Sequence, residues 1–238
     1  MDIKEAELFK GAIADHFYYR AKLAAVKTLI DSFSPKRILD VGAGTGFFSE
    51  SLLKQTSAAE ATCVDTGYAS DSERLVEGKP LFYRRHVDHS AADLVLMMDV
   101  AEHVADDFAL IKEYADKVTS GTHFVITVPA FQWLWSDHDV FLEHYRRYDL
   151  AAIEDVVSRA GLSIKQGCYF YLALLPFVIP TRFARNLFAS GASTPQSQMR
   201  ELPAVINAVL WSACRLELYV FRSNRWGGLT AVVHAVKP

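Results

Sequence analysis

Residues 38–50 read Ile-Leu-Asp-Val-Gly-Ala-Gly-Thr-Gly-Phe-Phe-Ser-Glu, and no other stretch narrows the possible folds as far. Ile38, Leu39 and Val41 follow Pro35 as a short apolar run, the pattern of a strand covered on both faces of a parallel sheet. Gly42, Gly44 and Gly46 then remove three side chains where the backbone must turn sharply and let a ligand approach closely. Phe47, Phe48, Leu52 and Leu53 restart an apolar face at helical spacing. Strand, glycine turn and helix in one piece predict a nucleotide-containing ligand at the carboxyl end of the strand.

The spacing departs from a dinucleotide fingerprint, which wants a small residue near position 47 for close packing opposite a pyrophosphate; Phe47 stands there. The glycines fall as G-x-G-x-G, with Asp40 two positions ahead. In this the segment resembles the first motif of class I S-adenosylmethionine-dependent methyltransferases. The resemblance continues through 61–65 (Ala-Thr-Cys-Val-Asp) as the next strand. Residues 93–100, followed by Ala101-Glu102-His103-Val104, are similar to the fourth strand and its "EH" segment, and His123–Pro129 to the fifth strand. It implies an α/β, Rossmann-like fold with a seven-stranded, mostly parallel sheet ordered 3-2-1-4-5-7-6, the seventh strand antiparallel, and helices on both faces. It also implies S-adenosylmethionine as cofactor, with S-adenosylhomocysteine as product, bordered by Gly42, Gly44, Gly46 and the backbone around Asp99 and Val100.

Three acids are candidates for the cofactor's polar groups. Asp40 suits its amino group, directly or through water. Asp65, 25 residues on at a strand end, suits both ribose hydroxyls, or else caps the loop that follows. Asp88, in Arg85-His86-Val87-Asp88-His89, is the candidate on the adenine side, against a solvated loop residue. Residues 3–33 carry Leu8, Ile13, Phe17, Leu23, Val26 and Ile30 at near-helical intervals, and the run His16-Phe17-Tyr18-Tyr19-Arg20 lies among them. Arg20 is placed to pair with the cofactor's methionine carboxylate while Tyr18 or Tyr19 closes over it; the other reading is a core of aromatics with a solvated arginine.

The loop after the fifth strand is expected to face the methyl acceptor. It carries Trp133, Trp135, Ser136-Asp137-His138-Asp139 and then His144-Tyr145-Arg146-Arg147-Tyr148. Methyl transfer to a hydroxyl needs a proton acceptor, and neutral histidine is the usual one near pH 7. His138, flanked by two acids, is the first candidate, His144 the second and His103 the third; an acceptor that is already ionised needs none of them. The run 144–148 alternatively anchors the helix 149–160, which Asp149 would cap. No metal ligand set is expected.

Between the strands expected at 162–171 and 229–236 lies an insertion, 172–228, expected to form a helical cap. It holds six arginines against two acids, a local excess of +4 that leaves −7 on the rest of a chain of net charge −3. An apolar, basic cap suits an acceptor with a greasy and an anionic part, such as a phosphorylated lipid or lipid-linked sugar, or peripheral contact with the inner membrane face. The alternative is that its apolar residues are the cap's own core or a homodimer interface, with arginines at the rim. The apolar stretch 169–180 is too short to cross a bilayer as a helix and is interrupted by Pro176.

One domain is expected, divided into an N-terminal helical segment (1–34), a core (35–171 and 229–238) and the cap (172–228). At 51% hydrophobic and 22% charged, 238 residues suit a single α/β enzyme. Three widely spaced cysteines and no secretion leader point to the cytoplasm. Nucleic acid is disfavoured: the net charge is negative, and Asp99-Val100-Ala101-Glu102 stands where base aminomethylases resemble one another in an Asn/Asp-Pro-Pro-aromatic tetrad. The expected activity is methyl transfer to a small-molecule or lipid-like acceptor at a hydroxyl. A non-catalytic S-adenosylmethionine-binding protein and a nicotinamide-dependent oxidoreductase are the alternatives.

Overall fold

The computed structural model describes residues 13–188 and 202–238, so Leu8 of the N-terminal pattern and, of the six arginines and two acids counted in the insertion, Arg200 and Glu201 lie outside the described residues. Helix α1 (Phe17–Ile30) precedes β1 (Arg37–Val41), which runs through the glycine turn into α2 (Phe47–Gln55). Strand β2 (Glu60–Val64) is followed by a hairpin, β3 (Ser72–Val76) and β4 (Lys79–Arg84). Then come β5 (Leu94–Met98), α3 (Asp107–Lys117), β6 (His123–Pro129), the short α4 (Asp137–Phe141), α5 (Leu150–Arg159) and β7 (Ser163–Phe170). Helices α6 (Leu175–Phe188) and α7 (Ala204–Glu217) lead to β8 (Thr230–Val236).

The sheet order is β3-β4-β2-β1-β5-β6-β8-β7. Strands β4, β2, β1, β5 and β6 pair in parallel, and β8 lies antiparallel between β6 and β7. This is the expected seven-stranded order with one addition. The antiparallel edge strand β3 makes eight. It escapes an apolar-pattern reading because four of its five residues are exposed. Its available signal is the two-residue turn Glu77-Gly78, both at positive φ (51° and 80°), which suits a tight hairpin.

The central strands are apolar on both sides because each side meets a helical layer. Ile38, Leu94, Leu96 and Met98 pack with Leu29, Leu52, Leu53 and Phe170 on one face. Leu39, Val41, Val95 and Met97 pack with Ile111, Ile153 and Val157 on the other. Helix α5 is capped by the Asp149 side chain, which accepts from the Ala152 N–H at 2.8 Å. The insertion is tied to the N-terminal segment. Asn207 of α7 accepts from the Phe17 N–H (2.8 Å) and donates to the Asp15 carbonyl (2.8 Å). Buried Glu217 accepts from the Leu172 and Ala173 N–H groups. Of the basic residues here, Arg225 forms a paired contact with Glu154 and Arg222 donates to the Thr28 carbonyl. Two of the arginines read as a charged rim therefore hold the fold together. Among the described residues, no helix is long and apolar enough to cross a membrane.

Candidate active site

The glycine turn is held in a conformation that side chains resist. Gly42, Gly44 and Gly46 have φ of 63°, 53° and 76°. A Cβ at Gly42 would stand 2.7 Å from Val100 Cγ1, so the loop after β5 closes directly onto the turn. Asp65, at the end of β2, accepts from the Gly44 N–H (3.0 Å) through one carboxylate oxygen and from the Gly67 N–H (2.8 Å) through the other. Asp40 is buried beneath the turn and accepts from Ser49 Oγ at 2.8 Å; burial pushes its carboxyl up to about 6.

Beside the turn lies a cavity of about 270 Å³, walled by Phe17, Tyr18 and Tyr19 of α1, Phe48 of α2, the loops after β5 and β6, and Leu174, Val178 and Arg182 from the start of the insertion. Its walls are mostly apolar, with a few convergent polar groups, the usual character of a small-molecule site. At its inner side Asp99 sits at φ 55°, accepting from Thr127 Oγ1 (3.0 Å) and from the ammonium of Lys22. Lys22 also meets Tyr18 Oη at 2.8 Å. Burial alone would depress the Lys22 ammonium, but the Asp99 carboxylate and Tyr18 reverse this and hold it well above its ordinary range.

The loop after β6 builds the opposite wall. Ser136 and Asp139 form a capping box at the start of α4. The same Asp139 carboxylate takes a paired contact from Arg147 (2.7 and 3.0 Å) and one from His144 Nδ1 (3.0 Å). Asp139 is fully buried, and although burial opposes its charge, His144 and Arg147 hold it well below the usual carboxylate range. With Nδ1 committed, His144 presents Nε2, which has no hydrogen-bond partner among the described residues. Neither oxygen of the fully buried Glu102 has one either. Ligand-type atoms of Glu102, His103 and His144 all lie within 4.8 Å of one another, and the two imidazoles meet edge to face at 4.6 Å. Burial and the nearby Asp99 hold the Glu102 carboxyl well above its ordinary range.

A glycine turn with an acid on its amides and a cavity nearby are also found in nucleotide-binding sites of other kinds. The deciding match is a family profile for a methyltransferase domain, which fits residues 14–166, well over half of the chain. The chain belongs to the class I S-adenosylmethionine-dependent methyltransferases. The cofactor of that class is S-adenosylmethionine. A ubiquinone biosynthesis O-methyltransferase of Proteus mirabilis is 30% identical over 126 residues, 48% of this chain and 51% of the relative. One of Vibrio parahaemolyticus is 33% identical over 104 residues, 39% and 43% of the two chains. The chain thus matches about half the length of these relatives. Its fold is that of a S-adenosylmethionine-dependent methyltransferase from Archaeoglobus fulgidus (TM-score 0.54, 17% identity, 92% and 94% of the two chains covered). It is also that of the N-methyltransferase NodS from Bradyrhizobium japonicum in complex with S-adenosylhomocysteine (TM-score 0.52, 10% identity, 93% and 88% covered).

In this methyltransferase the expected residues are only partly brought together. Asp65 and Val100 meet the turn of Gly42, Gly44 and Gly46, and Asp40 supports it from below. Asp88 lies in the loop after β4 with its side chain in solvent, paired with His86 at 3.1 Å. Arg20 does not line the cavity: its guanidinium lies 4.4 Å over the Trp211 ring on an outer groove. Lys22, two positions on and so on the other side of the helix, reaches Asp99 at the cavity wall. His138 lines the cavity, and burial pulls its imidazole down to about 4; of the two acids expected to orient it, Asp137 and Asp139, the second also holds His144. Glu102 is the cavity residue that pattern reading passed over. A glutamate directly before a histidine after a buried strand is the signal it offered.

The side chains of the run 144–148 reach the loop after β5. Arg146 meets Asp107 (3.2 Å) and the Ala105 carbonyl, and Tyr148 Oη meets Asp107 (2.7 Å), stitching this loop to the one after β5. That stitching is what brings His144 against Glu102 and His103.

Proposed function

We propose that this methyltransferase transfers the methyl group to a hydroxyl of a small acceptor bound in the cavity, and that the Glu102–His103–His144 cluster relieves that hydroxyl of its proton. The observation that carries this reading is the unpartnered Nε2 of His144 beside the unpartnered Glu102 carboxyl, both buried at the cavity wall. Buried polar groups are ordinarily paired, so three orphan atoms at one place are groups whose partner arrives with a ligand. Bound S-adenosylmethionine supplies an electrophilic methyl on a sulfonium. The chain's task is then to hold the acceptor oxygen in line at about 3–3.5 Å and to exclude water. Phe17, Leu134, Leu142, Leu174 and Val178 provide an apolar enclosure for the acceptor's body, and Arg182 offers a cation to an anionic substituent. The O-methyltransferase relatives support oxygen as the atom methylated.

For the cofactor, the proposal gives the ribose to Asp65, the turn to the three glycines with Asp40 behind them, the adenine side to the loop carrying Asp88, and the methionine end to the backbone of Asp99 and Val100. Lys22 replaces Arg20 as the cation nearest the methionine carboxylate. His144 takes precedence over His138 at the acceptor because its Nδ1 is held by the fully buried Asp139 carboxylate, which leaves Nε2 for the acceptor.

The test is transfer of labelled methyl from S-adenosylmethionine to a panel of phenols, vicinal diols and lipid-linked hydroxyl compounds by the wild type, His144→Ala and His138→Ala, with S-adenosylhomocysteine affinity measured by calorimetry. The expected result is loss of turnover by about 10²-fold or more in His144→Ala, with affinity for S-adenosylhomocysteine kept. Full turnover in His144→Ala overturns the assignment. Binding without turnover of any acceptor favours a non-catalytic role.

A further inference from the structure

We propose that Glu102, His103 and His144 bind a divalent first-row transition ion, such as Zn²⁺ or Mn²⁺, at the acceptor end of the cavity. The set comprises one carboxylate oxygen and two imidazole nitrogens, supplied by two loops that Arg146 and Tyr148 fasten together. Their ligand atoms lie within 4.8 Å of one another. Atoms bound to a common ion at about 2.0–2.2 Å stand about 3.4 Å apart in a tetrahedral site, so a side-chain shift of about 1 Å completes the geometry.

Three observations single this cluster out from an ordinary group of polar side chains. Glu102 is fully buried with both oxygens unpartnered, and His144 Nε2 is unpartnered beside it. His144 is also oriented as ligating histidines are: its other nitrogen meets a buried carboxylate, which Arg147 fixes in turn. Finally, the three residues line an open cavity, so that an ion held by three protein groups keeps positions for a ligand. Asp99, the other nearby acid, is committed to Lys22 and Thr127 and is outside the set. Two imidazoles with a single carboxylate suit a transition ion better than Mg²⁺ or Ca²⁺, which favour all-oxygen sites.

The ion site stands on these atoms alone. The role given to it, binding the acceptor oxygen and favouring its ionised form, rests on the hydroxyl reading above. The experiment is titration of the metal-stripped full chain with Co²⁺, a visible-absorbing probe of such sites, in wild type, Glu102→Gln, His144→Ala and Asp139→Asn. S-adenosylhomocysteine affinity serves as the check that each variant is folded. The wild type is expected to take one equivalent, displaced by Zn²⁺, with binding weakened at least tenfold in Glu102→Gln and His144→Ala and about tenfold in Asp139→Asn. No stoichiometric Co²⁺ spectrum in the wild type, or equal binding by the folded variants, overturns the proposal. Absence of the ion with His144→Ala still inactive would sink this inference and leave the proposed function standing. A bound ion with no hydroxyl acceptor turned over would do the reverse.

Discussion

The ion pair of Lys22 with Asp99 joins the N-terminal helix to the end of β5, and its two halves are buried unequally: the Lys22 side chain is 2% exposed and that of Asp99 is 30% exposed, facing the cavity. Removing one partner of a fully buried pair costs about 3–5 kcal/mol, because the other charge is stranded. Asp99→Asn strands the ammonium, leaving it Tyr18 Oη and a neutral amide, while Asn still tolerates the left-handed backbone at this position. The upper bound is the free energy of making an ordinary lysine neutral at pH 7, about 5 kcal/mol. Asp99→Asn is therefore expected to cost about 3–5 kcal/mol. Lys22→Met strands a carboxylate that keeps the Thr127 hydroxyl and can take water from the cavity, so about 1–2 kcal/mol is expected. In urea unfolding at pH 7 Asp99→Asn should be the less stable by 2 kcal/mol or so. In thermal melts it should lose roughly 10 °C against roughly 5 °C for Lys22→Met. The double variant should be more stable than Asp99→Asn alone. Equal losses, or a greater loss in Lys22→Met, would refute the argument from unequal burial.

Other consequences follow from the same geometry. Asp139→Ala strands the buried Arg147 guanidinium and opens the capping box, for an expected loss of about 3–5 kcal/mol by urea denaturation; a loss under 1 kcal/mol counts against the network. Gly42→Ala sets a Cβ against Val100 in a left-handed conformation and should lose S-adenosylhomocysteine binding in calorimetry, whereas Arg20→Ala should leave it within about twofold. Asp65→Ala, which frees the Gly44 and Gly67 amides, should weaken that binding tenfold or more, roughly 1.4 kcal/mol. At the far end of the sheet His123 Nδ1 and His234 Nε2 lie 2.8 Å apart, and burial lowers both, His234 to about 4. A folded-state pKa below the unfolded one gives stability that is whole above about pH 6.5 and lost as pH falls toward 4, on the order of 3 kcal/mol. His234→Gln should flatten that limb of the stability profile, and an unchanged profile would speak against the pair.

Periodicity finds what is repeated along the chain and misses what depends on distant packing. The parallel strands were legible because burial on both faces demands apolar residues throughout, as in 38–41 and 94–98. Strand β3 was not, because an edge strand with four exposed residues satisfies no such demand. In the candidate site, the glycine turn with Asp40 and Asp65 could be read from spacing, since backbone conformation imposes it. The choice of Lys22 over Arg20 could not: both are cations on one helix, and only the position of β5 and Trp211 decides which one meets an acid and which an aromatic ring.

The acceptor side shows the same division. Sequence alone supplied the glycine turn and the loop that carries the histidines, because each follows from local conformation or from a motif within a few residues; the family, its cofactor and the order of the strands came with the resemblance that those motifs carry. Tertiary structure decided that Asp139 serves His144 and Arg147 rather than its neighbour His138, since side chains adjacent on a helix diverge while a loop can return to meet one of them. It also decided that Glu102 is fully buried beside His103 and His144 with its carboxylate oxygens lacking a hydrogen-bond partner among the described residues, because burial and hydrogen-bond satisfaction are properties of the assembled fold and leave no mark on a single residue's identity.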